Sequence, residues 1–125
     1  MTGAVLDAGA LVAFERNDRR VVAIVARALL HSDPLVVPAG VVAQVWRDGA
    51  RQVRLVRLLG SPLVGVVPLD DAAARASGQL CGVSRTSDVV DASVVVIARQ
   101  RQLRVLTSDP DDLRRLDPRL DVVPV

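Results

Sequence analysis

Short apolar runs alternate with longer mixed stretches along the whole chain. Ala4-Val5-Leu6, Leu35-Val36-Val37, residues 63–68, residues 103–107 and the pair Val122-Val123 are short, mainly aliphatic and bounded by turn residues. That pattern predicts five strands, the last an edge. The intervening stretches predict helices over residues 9–16, from a cap at Asp18 to about residue 30, and from Pro38 through Trp46 until Gly49 breaks it. Further helices are expected over 50–59, stopped by Gly60-Ser61-Pro62, and from a cap at Asp70 to about residue 81. After a loop at 82–87 comes a helix to about residue 102, and a last short one opens at Pro110 and ends near residue 116. Regular alternation of this kind predicts an α/β fold, a parallel sheet with helices on both faces. Such sheets bind ligands at the carboxyl ends of their strands, where strand order reverses.

The stretch SDVVDASVVVIA, residues 87–98, reads as a helix meant for burial, yet it carries Asp88 and Asp91 three residues apart on one helical face. Buried carboxylates are costly unless paired, hydrogen-bonded or bound to metal. Asp7 directly follows the first strand and Asp109 the fourth. If those strands adjoin, Asp7, Asp91 and Asp109 converge at one sheet edge, with Asp88 and Asp112 close in sequence. Each acid also has an ordinary structural use. Asp109 precedes Pro110-Asp111-Asp112, a good helix start, and Asp7 and Asp88 can cap the helices that follow them. Asp91 fits that use least, because it lies inside its helix. Carboxylates brought together raise one another's pKa, and a hard divalent cation with oxygen ligands relieves that penalty.

Composition narrows the chemistry. The chain has 125 residues, half of them hydrophobic, enough for one domain spanning 1–125 with a real core. Phe14 and Trp46 are the only aromatic residues, so stacking bases on aromatic platforms is not the expected binding mode. All sixteen basic residues are arginine and Glu15 is the sole glutamate, a skew that coding-sequence bias produces. It excludes any mechanism that needs a lysine. Cys81 and His31 each stand alone, which excludes an internal disulfide and a cysteine zinc site. No uncharged apolar run approaches the length of a membrane span, so a cytoplasmic protein is expected. A receiver domain requires a strand-end lysine. A haloacid-dehalogenase-type phosphatase wants Asp-x-Asp after strand one, where this chain has Asp7-Ala8-Gly9. No P-loop sequence occurs.

Four segments, AVLDAGALVA, VVPAGVVAQVWRDG, SDVVDASVVVIA and VLTSDPDDL, together resemble the PIN-domain ribonucleases, specifically the VapC-type toxins of bacterial toxin–antitoxin pairs. The resemblance implies strand order 3-2-1-4-5 and an acidic pocket for Mg2+ or Mn2+. It implies that Asp7, Asp91 and Asp109 hold the metal and carry catalysis, that Thr107 or Ser108 supplies a hydroxyl, and that Asp88 and Asp112 support them. It implies an RNA substrate hydrolysed by metal-activated water, and an antitoxin that holds the enzyme inactive. One position departs: the middle motif usually carries Glu where this chain has Gln44. Gln offers an oxygen but neither charge nor a general base. This keeps open the alternative of a degenerate PIN domain that binds RNA or antitoxin with little cleavage.

Arg47, Arg51, Arg54 and Arg57 recur at helical spacing and form one stripe for RNA or an acidic antitoxin segment, provided Gly49 does not rotate the two segments apart. An ordinary solvated face is the competing reading. The same region carries Val42, Val45, Trp46, Val53, Val56 and Leu59, more apolar residues than one small core needs, and an interface with an antitoxin or a second copy is expected there.

Overall fold

A computed structural model describes residues 3–125. The strands are β1 (Ala4–Leu6), β2 (Leu35–Pro38), β3 (Val64–Val67), β4 (Arg104–Thr107) and β5 (Val122–Pro124). The helices are α1 (Ala8–Glu15), α2 (Arg19–Leu30), α3 (Ala39–Val45), α4 (Val53–Gly60), α5 (Asp71–Ser84), α6 (Val89–Arg101) and α7 (Pro110–Leu116). All strand pairs are parallel, in the order β3-β2-β1-β4-β5. Every residue of β1 and β2 is buried, as expected for central strands covered on both faces. The sheet order reverses direction between β1 and β4, which places a crevice at their carboxyl ends.

Aliphatic side chains fill the core. Leu6, Leu11, Leu35, Leu55, Leu106 and Leu113 are its largest fully buried members. Helix α6 is the most enclosed element: Ala92 through Ala98 are all buried, and the helix packs on β1, β2 and β4 while α5 covers it. A helix apolar on every side belongs in such a position. No helix among the described residues is long and apolar enough to cross a membrane.

The expected caps at Asp18 and Asp70 form, accepting hydrogen bonds from the N–H of Val21 at 3.1 Å and of Ala73 at 2.8 Å. Three boundaries differ. Helix α5 runs to Ser84 instead of stopping near Cys81. It absorbs Gly82 and ends where Arg85 takes a left-handed conformation, φ 56°. Pro38 closes β2 rather than opening α3. The helix expected over 50–59 begins only at Val53, because residues 46–52 form an ordered non-helical connection.

Gln52 organises that connection. Its amide oxygen accepts from the N–H of Arg47 at 2.8 Å and of Asp48 at 3.0 Å. Its amide nitrogen donates to the Val45 carbonyl at 2.9 Å and to Glu15 at 3.0 Å. All four hydrogen-bonding positions of the side chain are used. Two backbone N–H groups satisfied by one side chain make a local alternative to the helix.

Candidate active site

The parallel register of β1 and β4 pairs Leu6 with Leu106, so Asp7 and Thr107 emerge side by side at the crevice. The N–H of Asp7 continues the ladder to the Leu106 carbonyl at 3.2 Å. Asp7 is buried and Thr107 entirely so. The Thr107 hydroxyl donates to the Asp7 carboxylate and accepts from the N–H of Asp109 at 2.9 Å. One hydroxyl therefore couples two acids carried by different strands.

Asp7 also caps α1, accepting from the N–H of Ala10 at 3.0 Å. Structural capping and a place in the crevice coexist in this residue. Burial pushes its pKa up. The Thr107 hydroxyl and the Ala10 N–H oppose that rise, while the charge of Asp109 adds to it. Asp88 likewise caps α6, accepting from the N–H of Asp91 at 3.0 Å. Asp109 stands at the N-cap position of α7 but its side chain makes no capping hydrogen bond, so its exposed carboxylate is left free for the crevice.

Asp91 lies in the first turn of α6, half-buried. Its pKa is pushed up to about 7, first by burial and then by the charges of Asp88, Asp112 and Asp7. It is the acid on which the crowding falls most heavily, and its side chain caps no helix.

These side chains line one open cavity of about 400 Å3: Asp7, Asp88, Asp91, Asp109, Asp112 and Gln44. Every donor it offers a cation is oxygen, which fits Mg2+ or Mn2+. Among the described residues no three His, Cys, Asp or Glu side chains stand close enough to hold a metal ion between them. An ion here would bind fewer of them directly and keep several waters, as Mg2+ does.

Arg47 lines the same cavity, its guanidinium donating back to the carbonyls of Ala43 at 3.1 Å and Trp46 at 2.7 Å. The single arginine stripe does not form. Residues 46–52 interrupt the helix, so Arg47 and Arg51 sit on the connection and only Arg54 and Arg57 share α4. Arg51 pairs loosely with Asp48 at 3.6 Å on the surface. Of the apolar residues in this region, Val45 is buried, whereas Trp46, Val53 and Val56 are exposed.

Ser108 does not join the Asp7–Thr107–Asp109 hydrogen bonds, but it packs against Gly9. A Cβ built on Gly9 lies 2.6 Å from the Ser108 Cβ, so only glycine allows the start of α1 and the β4–α7 turn to approach. Sequence reading passed over Gly9, although a glycine in the first turn of a helix, two residues after a candidate catalytic acid, was a visible signal. It also passed over Gln52, which nothing in periodicity or spacing marks.

The architecture is a five-stranded parallel α/β fold with carboxylates gathered at its reversal point. More specifically, residues 4–118 match the PIN domain, and the chain belongs to that family. No curated protein matches the sequence. Solved structures that share the fold include the following three. One, a chain of FitAB bound to a DNA fragment, is 19% identical with TM-score 0.69, covering 97% of this chain and 94% of its own. FitAcB from Neisseria gonorrhoeae is 22% identical with TM-score 0.67, covering 95% of each chain. A toxin–antitoxin complex from Klebsiella pneumoniae is 16% identical with TM-score 0.69, covering 96% of this chain and 95% of its own.

Proposed function

We propose that this chain is the toxin of a toxin–antitoxin pair, a cytoplasmic endoribonuclease dependent on Mg2+ or Mn2+ and held inactive by a cognate antitoxin. The observation that carries the reading is the convergence of Asp7, Asp91 and Asp109, from β1, α6 and the β4–α7 turn, on one oxygen-lined cavity. The antitoxin partner rests on the resemblance to VapC-type toxins and on the Klebsiella pneumoniae complex. Exposed Trp46, Val53 and Val56 supply apolar surface for that partner or for a homodimer.

Asp7, Asp91 and Asp109 would hold the ion, directly or through waters, with Asp88 and Asp112 contributing negative charge around them. The chemistry that a bound divalent ion would supply there is polarisation of a scissile phosphoryl oxygen and a lowered pKa for a water. Asp7 enters with its carboxylate oriented by Thr107 and Ala10. Asp91, whose crowding raises its pKa in the metal-free site, would act as a ligand in its ionised form. Gln44 presents an amide to the cavity and can orient a water, but cannot take its proton.

Gln44 also favours a second reading, a degenerate domain that binds RNA or antitoxin with little or no cleavage. One assay separates the two. Protein freed of antitoxin is incubated with RNA and Mg2+ or Mn2+, against chelator, beside Asp7→Asn, Asp91→Asn and Asp109→Asn. A nuclease of this site cleaves only with metal and loses cleavage in all three variants while each stays folded. Full cleavage in all three variants rules the site out. Retained RNA or antitoxin binding without metal-dependent cleavage establishes the second reading.

A further inference from the structure

A second cavity of about 320 Å3 adjoins the acidic one, and the two share a wall of Asp88, Asp91 and Asp112. Its other side is different in character. Arg85 and Arg115 line it, with the hydroxyls of Ser84 and Thr86 beside them. Resting on the nuclease reading above, we infer that this second chamber is a phosphate subsite. Arg85 and Arg115 grip an RNA backbone phosphate adjacent to the one held at the acids.

The electrostatics favour such a device. A polyanion brought to five carboxylates is repelled by whatever charge a bound ion leaves uncompensated, and fixed cations beside them lessen that repulsion. Arginine suits the task, because its planar fork matches two phosphate oxygens at once and its charge is permanent. Arg85 makes no ion pair or hydrogen bond through its side chain among the described residues. Arg115 reaches Asp112 at 3.4 Å with both side chains well exposed, a pairing weak enough to exchange for a phosphate. The Thr86 hydroxyl accepts from the N–H of Asp88 at 3.2 Å, which leaves its own hydrogen to donate into the chamber. Arg47 lines the acidic cavity as well. The strand would thus meet one cation at the acids themselves and two in the adjoining chamber.

Arg85 has a competing, purely structural use, since a cation at the C-terminus of α5 suits the helix dipole. Its left-handed backbone separates the two. Glycine is the residue that conformation favours, so Arg85→Gly removes the guanidinium and relieves strain together.

The test uses Arg85→Gly, Arg115→Gln and the double variant with a short single-stranded RNA. Cleavage is followed with Mg2+, and binding with chelator over a salt series. The melting temperature is expected to stay within about 2 °C of the natural protein, or to rise for Arg85→Gly, as for exposed sites without a stabilising role. The double variant is expected to lose about tenfold in kcat/KM, through KM, as for a lost charge-assisted hydrogen bond. The slope of log affinity against log salt should fall by about 0.7, one phosphate contact on a single strand. Replacing one neighbouring phosphate with an uncharged methylphosphonate should weaken binding to the natural protein and not to the double variant. Unchanged KM and salt slope in a protein that cleaves RNA overturn the subsite and leave the nuclease reading intact. A drop in melting temperature with unaltered KM assigns Arg85 to the helix end and also overturns it. A natural protein that neither binds nor cleaves RNA overturns both proposals.

Discussion

Gly9 and Ser108 lie so close that no side chain fits between them, and this contact holds the start of α1 against the β4–α7 turn. Asp7 caps α1 and Asp109 lies in that turn. Gly9→Ala is therefore expected to force them apart. Overpacking of this kind costs roughly 1–3 kcal/mol. Thermal denaturation should show the loss, and RNA cleavage should fall by more than the stability change explains. A variant with unchanged stability and cleavage would show that the two segments part without consequence.

Thr107 couples the same two acids through one buried hydroxyl. Thr107→Val keeps the shape, removes the donor to Asp7 and leaves the Asp109 N–H without its acceptor. Losing a hydrogen bond at this part-buried position costs about 0.5–1.5 kcal/mol. The pKa of Asp7 should rise further, because the hydroxyl was opposing the effect of burial. Urea unfolding and carboxyl titration by NMR measure both. A Thr107→Ser variant, which restores the hydroxyl, should recover most of the titration shift.

Asp91 gives the metal-free protein a signed pH dependence. Its folded pKa is about 7, above the unfolded value of 3.8. Between those values the folded state retains a proton that the unfolded chain has released. Stability contributed by Asp91 is therefore complete below about pH 4, falls as pH rises through the window and levels off above pH 7. Asp7, also raised, adds with the same sign. Urea unfolding in chelator at pH 4.5, 6 and 8 should show the decline, and Asp91→Asn should flatten it. Stability that climbs from pH 4.5 to 8 in the natural protein would contradict the crowding described here.

Gln44 is the position where charge can be put back. Gln44→Glu adds another carboxylate to the cavity, so the metal-free variant should melt slightly below the natural protein. Adding Mg2+ or Mn2+ should raise its melting temperature more than it raises that of the natural protein, because tighter binding to the native state adds stability by mass action. RNA cleavage at limiting metal should rise in step. Identical metal responses in the two proteins would place residue 44 beyond the ion's influence.

The parallel α/β class was legible because it follows from alternation, whereas the strand order rested on the resemblance to PIN domains. Acids directly after strands one and four share an edge once those strands adjoin, so the gathering of the acids was legible only together with that order. Asp91 stood out because an acid inside an apolar helix has no bland use. What escaped was non-periodic. The residue 46–52 connection depends on a glutamine side chain bonding backbone groups five and four residues earlier, and no hydrophobic pattern encodes that. The arginine spacing suggested a continuous face because spacing presumes a continuous helix. Helix α5 outran its expected end because Gly82 costs a helix only about 1 kcal/mol, too little by itself to stop one already formed.

The Gln52 clasp divides the cleft into two halves of unequal permanence. Asp7, Thr107 and Asp109 are locked to strand register and cannot shift unless the sheet itself is rebuilt. Arg47 is mounted on a bracket fastened by a single amide and tied at its far end to Glu15, the lone glutamate. One substitution at residue 52 would unfasten the bracket without touching the sheet. The acidic cavity is thus a fixed part and the rim beside it a replaceable one. Changes confined to the connection would alter what flanks the acids while the acids themselves stay where the sheet puts them.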